Sequence, residues 1–131
     1  MNYVLDTCTY YWLVDDQSKI SARALGVLGD INNSLYLSAI SVTEIHRLVR
    51  KGKITVNAPT GLDNWFRKGL TQHLVVCEPI TLEIAHTAEL LPAIHNDPAD
   101  RFIIATAQVL GASLVTPDLT IPKYPNVNIV W

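Results

Sequence analysis

The stretch DPADRFIIATAQVLGASLVTPD, residues 97–118, decides how this chain is read. Asp97 has the short acidic side chain of an N-cap. Pro98 suits the first helical position, because the N–H it lacks is one that a helix start leaves unbonded anyway. Ile103, Ile104 and Ala107 then repeat at helical spacing, and Gly111 provides a stop, so a helix is predicted over Pro98 to Leu110. Leu114 to Thr116 reads as a short buried strand, with Asp118 just beyond it. A helix that precedes a parallel strand ends where that strand begins. Its first turn, carrying Asp100, therefore lies at the edge where the strand finishes, beside Asp118.

The same alternation extends outward. Tyr3 to Leu5, Leu35 to Leu37, Leu74 to Cys77 and Val127 to Val130 are further predicted strands, and Ser41 to Gly52 is a second clear helix, with Val42, Ile45, Leu48 and Val49 at helical spacing. Continuous apolar strands between helices indicate an α/β fold, a mostly parallel central sheet flanked by helices. A chain of 131 residues without repeats or a linker-like segment is read as one domain, 1–131. Apolar residues make up 49% of it and charged ones 17%, a surplus that suggests a two-sided sheet or a subunit interface. No apolar run is long enough for a membrane span and nothing resembles a signal peptide, so a cytoplasmic location is expected. Cys8 and Cys77 are too few for a disulfide framework and lack zinc-site spacing.

Four acids carry the chemistry. Asp6 follows the first strand and Asp118 the strand before it. Glu44 is expected in the first turn of the helix after the second strand, and Asp100 is placed as above. All four are predicted at the carboxyl edge of the sheet, where open α/β sheets bind ligands. Carboxylates brought together either take up protons or share a cation, and oxygen donors without His or Cys suit Mg2+ or Mn2+. Such a site favours phosphodiester hydrolysis. Each acid also has a plain structural reading: Asp6 as a helix cap, Ser41 with Glu44 as a capping box, Asp97 as N-cap with Asp100 in the first turn, and Asp118 as a turn residue. The formal charge of −2 lacks a basic footprint, but without those four acids the balance is 10 − 8 = +2, which permits a nucleic-acid partner.

In Leu5-Asp6-Thr7, Ser41-Val42-Thr43-Glu44-Ile45, Asp97-Pro98-Ala99-Asp100-Arg101 and Leu114-Val115-Thr116-Pro117-Asp118, in that order, the chain resembles the PIN-domain nucleases, most of all the VapC-type toxins. The resemblance implies a PIN-like three-layer sandwich and a metal-dependent ribonuclease whose catalytic, metal-binding acids are Asp6, Glu44, Asp100 and Asp118. It implies Thr7 and Thr116 as supporting hydroxyls, with Asp97 nearby. It also implies RNA as substrate, a homodimer and a small antitoxin partner. Thr43 stands where many relatives carry an aromatic residue, and the segment 54–72 matches no part of the pattern.

Arg47, Arg50, Lys51 and Lys53, with Arg67 and Lys68, are candidates for phosphate contacts; cations at a helix end are an equally good account of Arg50 and Lys51. Arg101 is expected to pair with a neighbouring acid, a contact with substrate phosphate being the alternative. His46, His73, His86 and His95 show no ligand spacing. Three other functions remain open: a housekeeping PIN nuclease, a catalytically silent PIN module that binds RNA or protein, and a phospho-receiver domain. The last fits poorly, since the strands at Leu35 to Ser38 and Val75 to Cys77 offer no Asp to phosphorylate.

Overall fold

The structure is a computed structural model and describes residues 1–94 and 96–131; His95 lies outside them. Strands β1 (Asn2–Leu5), β2 (Ser34–Ser38), β3 (Val75–Glu78), β4 (Ser113–Val115) and β5 (Ile129–Val130) form one sheet in the order β3-β2-β1-β4-β5. Every pairing is parallel, which goes further than the mostly parallel sheet expected. Among the described residues six helices accompany it: α1 (Thr7–Asp15), α2 (Ala22–Gly29), α3 (Ala39–Arg50), α4 (Leu62–Gln72), α5 (Leu82–Leu90) and α6 (Pro98–Leu110).

Side chains of the central strands β1 and β4 alternate between two covered layers, which is why those strands are largely apolar, whereas the edge strand β3 leaves Val76 exposed. Tyr3, Leu5, Leu35, Leu37 and Val115 pack with Tyr10, Leu13, Trp65 and Phe66 on one face. Val4 and Leu114 pack with Ile103, Ile104 and Ala107 of α6 on the other. Helix α5 lies outside this second layer, its Ile84 and Ala88 against Ala105 of α6. The chain builds the sheet from β1 outward through β2 to β3, then returns to β4 on the opposite side of β1. The order therefore reverses between β1 and β4, the position where such sheets open a crevice for a ligand.

Several boundaries differ from expectation. Helix α3 begins at Ala39, because the side chain of Ser38 accepts from the Ile40 N–H and caps it. The expected Ser41–Glu44 capping box is consequently absent, and Glu44 falls in the second turn. Strand β3 starts at Val75 because Leu74 has φ +55°, a left-handed turn conformation that cannot continue a strand. The last strand is also shorter than expected, Ile129–Val130, with Asn126 at φ +60° in the turn that precedes it. The segment 54–72, which matches no part of the family pattern, contains α4, whose Trp65 and Phe66 are buried against Tyr10. Gly111 does end α6 in the left-handed conformation, and Asp97 does cap its start.

Candidate active site

Four separate elements deliver the predicted acids to one cleft of about 360 Å³, lined by Asp6, Glu44, Asp100 and Asp118 together with Asp97 and Arg47. Asp6 stands at the end of β1 because the strand stops there and α1 starts: its carboxylate accepts from the Thr9 N–H at 2.8 Å and so caps that helix. The same carboxylate accepts from the Thr116 hydroxyl and from Cys8 Sγ at 3.2 Å. Thr116 in turn accepts from the Asp118 N–H at 3.1 Å, and Asp118 accepts from the Thr120 N–H at 2.7 Å. The acids at the ends of β1 and β4 are thus linked through one hydroxyl. The helix-cap and turn readings of Asp6 and Asp118 hold alongside membership of the cleft.

Glu44 is buried on α3, with the Arg47 guanidinium 3.8 Å from its Oε2. Thr7 and Ser41 hydroxyls meet at 2.9 Å beside it, an arrangement that joins α1 to α3. Asp97 accepts from the Ala99 N–H at 2.9 Å, as a cap does, and its charge also reaches Glu44. Burial raises the Glu44 carboxyl above the ordinary carboxylate range, opposed by the Thr7 hydroxyl, with the charge of Asp97 raising it further against Arg47. Asp6 is raised too, again chiefly by burial, against the hydrogen bonds it receives from Thr116, Thr9 and Cys8.

Raised carboxyls favour the protonated folded form. Their contribution to stability is complete below the unfolded carboxyl range and is lost as pH rises through the folded pKa. In chelator-containing buffer the melting temperature should therefore rise as pH falls from neutral toward about 5, before general acid unfolding intervenes. Asp6→Asn should flatten that rise. An equally steep rise in the variant would show that other groups cause it.

Among the described residues no three Asp, Glu, His or Cys side chains are gathered so as to hold a metal ion between them. The acids surround an open cleft instead. A hard divalent ion that keeps most of its waters needs only one or two carboxylates, so the oxygen donors lining this cleft, two of them disfavoured in their charged form, match that kind of ion in donor chemistry.

Of the proposed phosphate contacts only Arg47 lines the cleft; Arg50, Lys51 and Lys53 are exposed at the far end of α3, about 9 Å along the helix from Glu44. Arg67 pairs with Asp63 on α4 at 3.0 Å. Among the described residues Arg101 does not make the expected ion pair: its guanidinium donates to the carbonyls of Ala88, Leu91 and Pro92. Cys8, Thr9 and Ser41 also belong to the surroundings of the acids, which their sequence positions do not indicate. Cys8 follows Asp6-Thr7 directly, but nothing in its spacing distinguishes it from a core thiol, and Ser41 was read only as a cap.

Asp97 and Asp100 separate by experiment. Asp97→Ser keeps a capping oxygen and should preserve stability, whereas Asp97→Ala should lose about 1 kcal/mol. Asp100→Asn should instead abolish cleavage of RNA without loss of stability in metal-free buffer. Thermal melts and a cleavage assay on the same samples measure both; complete loss of cleavage in Asp97→Ser would move Asp97 from cap to essential site residue.

The PIN-domain family model matches residues 3–127. Ribonuclease VapC22 of Mycobacterium tuberculosis is 33% identical over 131 residues, covering 98% of this chain and 97% of that protein. Among solved structures, VapBC2 from Rickettsia felis bound to a promoter DNA fragment superposes with a TM-score of 0.69 at 19% identity, covering 99% of this chain and 98% of that one. VapBC-1 from nontypeable Haemophilus influenzae gives 0.60, also at 19% identity, covering 99% and 97%. With a family match over nearly its whole length and a relative of that identity, the chain belongs to the PIN-domain family.

Proposed function

We propose that residues 1–131 form one metal-dependent endoribonuclease domain, the toxin of a toxin–antitoxin pair. The observation that carries this reading is the meeting of Asp6, Glu44, Asp100 and Asp118 in a single cleft at the reversal point of the sheet. The identity to a ribonuclease of the VapC kind supports the choice of RNA over other phosphodiesters. Mg2+ or Mn2+ would be held by one or two of the four acids; when bound, it supplies positive charge for phosphate oxygens and lowers the pKa of a water. Thr116 and the Thr9 N–H hold the Asp6 carboxylate in one orientation, and Thr7 with Ser41 supports Glu44. Arg47, at the cleft wall, is placed to exchange Glu44 for a substrate phosphate, and Arg50, Lys51 and Lys53 would meet phosphates further along the strand.

Partners follow from the same reading. A homodimer would cover some of the exposed apolar side chains, such as Val76, Leu82 and Leu90, and a small antitoxin protein would neutralise the site. Among the described residues no helix is long and apolar enough to cross a membrane.

Two measurements test the proposal. Purified protein should cleave RNA with Mg2+ or Mn2+, lose that activity to a chelator and regain it poorly with Ca2+. Expression alone from a tight inducible promoter should arrest growth, and a co-encoded small partner should relieve the arrest. Harmless expression of an active nuclease would assign it to housekeeping RNA processing instead, and metal binding without cleavage of any RNA would make it a silent binding module.

A further inference from the structure

We propose that Arg101 is a positioning residue for the acids of the cleft, acting by clamping the first turn of α6 to the end of α5; this rests on the metal-dependent reading above. A helix leaves its last carbonyls without partners. At the end of α5 and just beyond it a single guanidinium adds to what the backbone supplies: Arg101 Nη2 donates to the Ala88 carbonyl at 2.8 Å, which also takes the Leu91 N–H at 3.4 Å, and to the Leu91 carbonyl at 2.9 Å, while Nη1 donates at 2.9 Å to the Pro92 carbonyl, which also takes the Ile94 N–H at 2.9 Å. The planar fork of an arginine can serve three carbonyls at once, and its charge is favoured where a helix presents its negative end.

The other end of the connection is tied to the same helical turn. The Arg101 N–H bonds the Asp97 carbonyl at 3.3 Å, and the Asp97 carboxylate caps the Ala99 N–H at 2.9 Å. The turn that carries Asp97 and Asp100 is thus braced from both sides of the α5–α6 connection. Successive helical residues project about 100° apart, so Arg101 reaches α5 while its neighbour Asp100 lines the cleft. Helix α5 needs this brace. Its buried residues Ile84 and Ala88 pack on Ala105 of α6, in a small cluster separate from the two cores against the sheet. With Arg101 removed, the α5–α6 connection loses three of its bonds, and the acids on the adjoining turn lose a fixed orientation.

The test is the Mn2+ affinity of the full chain, titrated by calorimetry at a temperature where circular dichroism shows each variant folded. Groups that orient metal ligands typically contribute tenfold to a hundredfold in affinity, so Arg101→Met should weaken Mn2+ binding by about that factor. Arg101→Lys, which keeps the charge without the fork, should fall between Met and wild type and decides the matter if Arg101→Met does not fold. Thr81→Ala is the control: it removes the hydroxyl that caps α5 at its opposite end through the Ile84 N–H. It should lower the melting temperature and leave Mn2+ affinity unchanged. Wild-type-like Mn2+ affinity in the Arg101 variants, or an equal loss in Thr81→Ala, overturns the proposal. A wild-type chain that binds no Mn2+ overturns the metal reading and this inference with it.

Discussion

Asp6→Asn is expected to reduce RNA cleavage at least about a thousandfold, equivalent to roughly 4 kcal/mol of transition-state stabilisation, while the protein stays folded. Asparagine is nearly isosteric with the carboxylate. It retains the oxygen that caps α1 through the Thr9 N–H, so the local helix start survives. Its amide nitrogen would face Thr116, whose hydroxyl can turn from donor to acceptor. What is lost is the negative charge, which burial already disfavours. Stability in chelator should accordingly be equal to or higher than wild type at neutral pH, and on the proposed metal-dependent reading Mg2+ or Mn2+ should raise the melting temperature of the wild type more than that of the variant. Cleavage rate and thermal shift with and without metal measure both effects. Near-normal cleavage by a folded Asp6→Asn protein would remove Asp6 from the active site.

Gly69→Ala should destabilise the protein by about 1–3 kcal/mol through overpacking, although it adds one methyl group to a helix and alanine favours helices. A Cβ at that position would lie 2.6 Å from Tyr10 Oη and 2.8 Å from Val14 Cγ2. Tyr10 has little freedom to yield. It is fully buried, its hydroxyl donates to the Phe66 carbonyl at 3.0 Å, and its ring stacks on Phe66 and meets Trp65 edge-on. Either α4 withdraws from α1 or the Tyr10 hydrogen bond breaks. Tyr10→Phe removes the nearer of the two clashing atoms, so the double variant should lose less than the sum of the single changes. Denaturant titration of the four proteins gives the coupling; additive losses would mean that the two side chains do not compete for the same space.

These two positions also mark how far the residues alone could be read. Asp6 was legible because it follows an apolar strand and matches its counterparts near Glu44, Asp100 and Asp118 in placement. Gly69 was not, since the segment 54–72 carries no pattern that reveals its partner. Leu62, Trp65, Phe66, Gly69 and Leu70 give its helix an apolar face, but the partner of that face, Tyr10, is more than fifty residues away in the chain. The start of α3 was misplaced for a related reason: Ser38 and Ser41 are both suitable caps, and the local sequence does not reveal that Ser41 is occupied by Thr7 of another helix.

By itself the sequence determined the α/β layering, the helix over Pro98 to Leu110 with its cap and stop, and the edge of the sheet at which four acids gather. Those features follow from apolar periodicity and from the backbone needs of helix ends, both of which are local. Tertiary structure decided the strand order, the Thr116 hydroxyl that links the acids of β1 and β4, and the three carbonyls held by Arg101. An arginine beside an acid carries the same signal in sequence whether it will pair with a carboxylate or with carbonyls. Its partner is set by which acceptors the packing brings within reach, and here these are the carbonyls of Ala88, Leu91 and Pro92 at and just past the end of α5.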